Sequence, residues 1–214
     1  MLSVLLYHGN SAWLPGGFVG VDVFFVISGY LISGIILKEL SQQRFSFIDF
    51  YARRIRRIFP ALICMLLMVF GIGWFCLYSD EYQMLGKHVA AGAAFVSNIV
   101  LWKEAGYFDP AGELKPLLHL WSLGIEEQFY LIWPLLLAFV WRRRLSPMLV
   151  IGGIGLASFA LNAWWIAEHE IRVFYLPVTR FWELAAGAML ASAQMGNFAP
   201  REPLRQALSL AGLG

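Results

Sequence analysis

His119-Leu-Trp-Ser-Leu-Gly-Ile-Glu-Glu-Gln128 leads into an uncharged apolar run, Phe129 to Trp141, that stops at Arg142-Arg143-Arg144. From Leu118 onward the segment is long enough for a helix that crosses a bilayer, which takes roughly 20 residues. Its first turns therefore bring a histidine and two carboxylates to the membrane. Ionisable groups there are costly, and they mark functional positions by default. At about 100° per residue, His119, Ser122 and Glu126 fall within roughly 60° of one another and share one face. Glu127 lies about 100° from Glu126, so the spacing predicts one carboxylate facing a pocket and the other paired elsewhere.

The rest of the chain agrees with a membrane setting. Of its 214 residues, 59% are hydrophobic and 14% charged, whereas a soluble domain has roughly 45–50% and roughly 25%. The expected fold is all-α, a polytopic transmembrane helix bundle. Six apolar segments stand out: residues 1–13, Phe18–Leu37, Ile58–Tyr78, Leu118–Trp141, Met148–Ala167 and Phe181–Met195. The first is too short to span, and a new apolar stretch begins at Leu208, so we expect one domain over residues 1–214 that is truncated at both ends. Cys64 and Cys76 sit in one apolar run, which argues against a disulfide framework. No Cys/His spacing suits a metal, and nothing points to nucleic acid.

Lysine and arginine set the orientation. Lys38, Arg44 and Arg53 to Arg57 crowd one loop, Arg142 to Arg144 a second, and Arg201 with Arg205 a third. Placing all three in the cytoplasm leaves no room for a full span over Leu85–Trp102, which holds Lys87 and His88. That segment is expected to be re-entrant or interfacial on the outer side. His8, Asp22, His119, Glu126, Glu127, Arg180 and Glu183 then lie near the outer ends of four helices, with the Arg53–Arg57 cluster facing the opposite side.

Several stretches resemble the acyltransferase 3 family of integral membrane acyltransferases. They are Tyr7-His8, Pro15-Gly-Gly-Phe-Val-Gly-Val-Asp-Val-Phe-Phe-Val-Ile-Ser-Gly-Tyr-Leu-Ile32, Phe50-Tyr-Ala-Arg-Arg-Ile-Arg-Arg-Ile-Phe-Pro60, Tyr107-Phe-Asp109, Lys115 through Tyr130, and Tyr175-Leu-Pro-Val-Thr-Arg-Phe-Trp-Glu183. The Tyr-Phe-Asp and Lys-Pro-Leu-Leu-His stretches look most like the O-antigen acetylase branch. The resemblance implies transfer of an acyl group, typically acetyl from cytoplasmic acetyl-CoA, to a hydroxyl of a cell-surface glycan such as lipopolysaccharide O-antigen. It further implies a multi-pass protein of the inner membrane, in contact with membrane lipid and often joined to an extracytoplasmic hydrolase-like domain. The family's essential histidine matches His8, and the basic residue eleven positions earlier would fall before Met1. Its Arg-x-x-Arg motif matches Arg53/Arg56 or Arg54/Arg57.

Acyl transfer to a sugar hydroxyl needs a base for the hydroxyl proton and donors for the oxyanion. His8 is the candidate base or acyl carrier, because a neutral imidazole is cheaper to bury than a carboxylate. Asp22, Glu126, Glu127 and His119 are candidate catalytic partners that orient or activate it. Arg53, Arg54, Arg56 and Arg57 could hold the phosphates of acetyl-CoA, although a cytoplasmic loop carries such a cluster as a topology signal too. Ser122, Arg180 and Glu183 are candidate acceptor-binding residues, the last two also forming an i,i+3 pair at a helix entrance. A Ser-His-Glu triad on one helix is disfavoured, since three residues so placed rarely reach triad geometry. From another class, a transporter or flippase for an anionic or glycan substrate would use the same polar pocket without forming a bond.

Overall fold

A computed structural model describes residues 19–105 and 115–195. His8, the expected segment at 1–13 and Tyr107-Phe-Asp109 lie outside them. Among the described residues there are eight helices and no strand: α1 (Val19–Ser41), α2 (Phe47–Cys76), α3 (Ser79–Ala93), α4 (Ser97–Glu104), α5 (Leu120–Arg142), α6 (Pro147–Trp165), α7 (Glu170–Tyr175) and α8 (Pro177–Met195). Four of these, α1, α2, α5 and α6, are long and apolar enough to cross a membrane.

The side chains that meet across helices give their relative directions. Phe25 packs edge-on against Trp121, and the Trp133 indole donates to Ser33 Oγ at 2.8 Å, so α1 and α5 run parallel. Gly29 backs onto Leu184, and Tyr30 donates to Gln194 at 2.7 Å, so α8 runs parallel to both. Tyr51 reaches the Leu131 carbonyl while Arg54 reaches Glu127, so α2 runs against α5. This alternation is the one the charge pattern predicts.

The Leu85–Trp102 stretch is no single span. It breaks at Ala94–Val96 into α3 of 15 residues and α4 of 8, with Phe95 at φ 56°. Neither reaches the roughly 20 residues a crossing takes. The α8 helix, expected as a span, has 19 residues but is less apolar than the other four, because Arg180, Glu183 and many small residues occupy it.

Backbone contact holds α8 in place. A Cβ on Gly29 would run into the Leu184 carbonyl, and one on Gly187 into Val26 and Tyr30. Ala188 and Ala191 are buried beside Gly187, and Ala185 is buried against Gly155 of α6. Lipid tails are as apolar as leucine, so membrane helices associate through such close packing instead of through hydrophobic burial. The outward surface is apolar in turn. Val19, Val23, Ile27, Leu31 and Ile35 form an exposed i,i+4 stripe along α1, and Leu67, Met68, Ile72 and Phe75 line the free side of α2. A soluble monomer rarely exposes so large a patch. Cys64 and Cys76 are free and exposed on α2.

The basic stretch departs most from expectation. Arg53 to Arg57 lie inside α2, not in a loop before it. Ser46 caps the helix by accepting from the Asp49 N–H, and Asp49 in the first turn complements the helix dipole. The helix therefore begins 11 residues before the apolar run at Ile58, with the arginines one to three turns inside.

Candidate active site between the parallel helices

One polar cluster lies midway along the bundle. Ser28 is buried on α1, where its hydroxyl donates to Glu126 and shares a hydrogen bond with the Tyr130 hydroxyl. Tyr130 also donates to Glu126, one helical turn before it on α5. Glu126 is only 6% exposed. Its neighbour Glu127 turns to α2 and accepts from Arg54 at 2.5 Å. The two carboxylates divide as their 100° offset predicts, Glu126 inward and Glu127 to a cation. The Arg54 guanidinium also lies 3.6 Å from the centre of the Tyr130 ring, so it touches both halves of the cluster.

That contact corrects the expectation that the arginines face away from the pocket. Arg54 turns inward, because two turns of α2 raise it to the level of Glu127, while Arg53, Arg56 and Arg57 stay exposed. Arg53 pairs with Glu39 at 2.9 Å. A crevice of about 360 Å³ opens beside Arg54, lined also by Tyr51, Phe59, Glu127, Gln128 and Tyr130. The Arg54 Nε is buried there without a hydrogen-bond partner.

The crevice has a fixed rear wall. Gln128 donates to the Phe95 carbonyl at 2.8 Å and to Asn98 Oδ1 at 2.9 Å, and Asn98 in turn donates to the Tyr175 carbonyl. Gly124 permits this docking, for a Cβ there would meet Asn98 Oδ1 and the Phe95 carbonyl.

A second cluster stands at the N-terminal ends of α1 and α8. Arg180 donates to Asp22 at 2.7 Å and to Glu183 at 2.6 Å, so the predicted i,i+3 pair forms and gains a third member. Its guanidinium also lies near the rings of Trp121 and Phe174. Glu183 is 1% exposed and its Oε2 has no hydrogen-bond partner. Two carboxylates around one guanidinium leave acceptor capacity on the carboxylate side. Asp22 is about 9 Å above Ser28 along α1, at 1.5 Å per residue.

The shared face of His119, Ser122 and Glu126 does not become a triad. His119 is the exposed cap residue of α5, Ser122 donates to its backbone carbonyl at 3.2 Å, and Glu126 is engaged with Ser28 and Tyr130. Sequence reasoning missed Ser28, Tyr130, Gln128 and Asn98. Ser28 had a signal, a hydroxyl in an apolar span, and so had Tyr130, one turn after Glu126.

It also missed a third ionic group, which ties α3, α4 and the entry to α5. Glu104 meets Lys87 at 2.6 Å, His88 at 3.1 Å and Lys115 at 3.4 Å. Burial opposes its charge, yet the Lys87 hydrogen bond and the His88, Lys87 and Lys115 charges hold the carboxyl below its ordinary value.

The acyltransferase 3 family, described as an acyltransferase domain, matches residues 1–214. An uncharacterised protein of Haemophilus influenzae is 39% identical over 179 residues, 80% of this chain and 73% of that protein. Bacillus subtilis YrhL, provisionally named a peptidoglycan O-acetyltransferase, is 39% identical over 200 residues, 89% of this chain but 31% of the relative. A Staphylococcus aureus (strain COL) protein, provisionally named an O-acetyltransferase, is 37% identical over 198 residues, 89% of this chain and 32% of its own length. The chain thus spans about a third of these two relatives. No solved structure matches it. The chain belongs to the acyltransferase 3 family, and its helical bundle is an acyltransferase domain of that family.

Proposed function

We propose that the protein is a multi-pass O-acetyltransferase of the inner membrane, moving acetyl from cytoplasmic acetyl-CoA to a hydroxyl of a cell-envelope polysaccharide outside. The observation that carries this reading is Arg54, which joins the arginine-rich start of α2 to the buried Ser28, Glu126 and Tyr130. Arg53, Arg56 and Arg57 are exposed where the phosphates of a cytoplasmic coenzyme would dock, guanidinium groups being suited to phosphate oxygens. The crevice beside Arg54 suits the narrow arm that ends in the thioester, with Gln128 and the unpartnered Arg54 Nε facing its amides and carbonyls.

The acceptor enters from the other side. Asp22, Arg180 and Glu183 form a polar mouth at the outer ends of α1 and α8, and the free Glu183 oxygen can accept from a sugar hydroxyl. His8, ahead of α1 in the sequence, acts as base. The name of the Bacillus subtilis relative points to peptidoglycan, and the Tyr-Phe-Asp and Lys-Pro-Leu-Leu-His stretches to O-antigen. Both are glycans of the envelope.

The test is transfer of labelled acetyl from acetyl-CoA to envelope material in membranes that hold the full-length protein, with and without His8→Ala. A normally inserted variant is expected to lose transfer by about 100-fold or more, the usual effect of removing a general base. Undiminished transfer would take His8 out of the mechanism. No transfer by the wild type, across several acyl-CoA donors and glycans, would favour a transporter.

A further inference from the structure

We propose that Ser28 carries the acetyl group in transit, as an ester on its Oγ. This rests on the acetyl-transfer reading and adds a covalent stop to it.

A serine in a membrane helix can bond the carbonyl one turn back. Ser28 instead donates to a carboxylate on another helix and lies against a tyrosine hydroxyl. A serine is a weak nucleophile unless an adjacent base activates it. Here the base, Glu126, is held by a second donor, Tyr130, on the same oxygen that accepts from Ser28. Ser33, one turn and a residue further along α1, shows the structural alternative: it is fully buried, accepts from the Trp133 indole and faces no carboxylate.

Access and depth agree with the role. Tyr130 belongs both to this cluster and to the wall of the crevice beside Arg54. A thioester that follows the crevice inward therefore arrives at the Ser28 side of Tyr130. Ser28 is about 14 Å from the outer end of α1 and about 20 Å from its inner end, at 1.5 Å per residue. Acetyl fixed there has completed more than half the crossing, and Asp22 lies less than two turns further out.

The chemistry balances in two steps. Glu126 takes the Ser28 proton as Oγ attacks the thioester carbonyl, with the Tyr130 hydroxyl beside it to donate to the oxyanion. The C–S bond breaks, and the departing sulfur takes the proton, giving the serine ester and coenzyme A. In the second step the acceptor hydroxyl gives its proton to a base and attacks the ester carbonyl. The bond to Ser28 Oγ breaks, and Oγ regains a proton. No oxidant or metal is needed.

The test uses the full-length protein in membranes depleted of acceptor. After a pulse of labelled acetyl-CoA and an acid quench, peptide mass spectrometry should find acetyl on Ser28, and added acceptor should chase it off. Ser28→Ala should lose both label and transfer. Ser28→Cys, which keeps a nucleophile at the same place, should hold acetyl as a hydroxylamine-labile thioester. Acetyl found on another residue, or transfer undiminished in a normally inserted Ser28→Ala protein, would overturn the proposal while leaving acetyl transfer standing. Absence of transfer by the wild type would overturn both.

Discussion

Glu126→Gln is expected to lower acetyl transfer by about 10²–10⁴-fold, the range for loss of a positioned base, while the bundle inserts and melts as the wild type does. That loss corresponds to about 3–5 kcal/mol of transition-state stabilisation. The substitution separates chemistry from packing. Glutamine keeps a carbonyl oxygen that can accept from Ser28 and Tyr130, so both hydrogen bonds that Glu126 Oε1 receives can persist. What disappears is the capacity to hold a proton taken from a hydroxyl. If Glu126 served only to join α1 and α5, its neutral isostere would be neutral or even stabilising, as replacement of buried charges often is. Transfer within about threefold of wild type, in a protein of equal abundance, would assign the carboxylate to structure.

Gly187→Ala and Gly29→Ala are expected to destabilise the bundle beyond the roughly 1–3 kcal/mol of ordinary overpacking. The added methyl at either position meets backbone of the facing helix, Leu184 for Gly29, Val26 and Tyr30 for Gly187. A crowded side chain can change rotamer, but backbone moves only if the helix moves. Separating α1 from α8 would also open the Asp22–Arg180 pair and leave Glu183 buried with less compensation. Thermal melts of detergent-purified protein, followed by size exclusion, would measure the loss. Gly153→Ala is the control: no heavy atom lies within 4 Å of its Cβ, and helix propensity favours alanine by roughly 1 kcal/mol. Equal melting of all three variants would contradict the close packing of α1 on α8.

Much of the fold was legible because membrane spans announce themselves by length and apolarity. Val19–Ser41, Leu120–Arg142 and Pro147–Trp165 begin and end within a few residues of the apolar runs. The start of α2 was not legible in that way. Four arginines read as a loop, although Ser46 and Asp49 are ordinary start signals for a helix that carries the charges inward. The break at Ala94–Val96 left little trace either, since it depends on Gly124 of α5 making room for the Phe95 carbonyl.

The candidate site was half legible. Glu126 and Glu127 were visible as charges in an apolar helix, and their divergence follows from helical geometry. The Arg180–Glu183 pair follows from spacing along one helix. Ser28, however, is 98 residues from Glu126 in the chain, and Arg54 is 73 from Glu127. No periodicity relates residues on different helices, so these partnerships emerge only from the packing of α1 and α2 against α5.

The most direct test of transfer across the membrane uses sealed vesicles of one orientation, with labelled acetyl-CoA added to one side and acceptor glycan enclosed on the other. Acetyl should reach the glycan only when acetyl-CoA is on the side of the arginine-rich start of α2. Transfer confined to acceptor on the same side as the donor, or equal transfer from either side, would contradict the account.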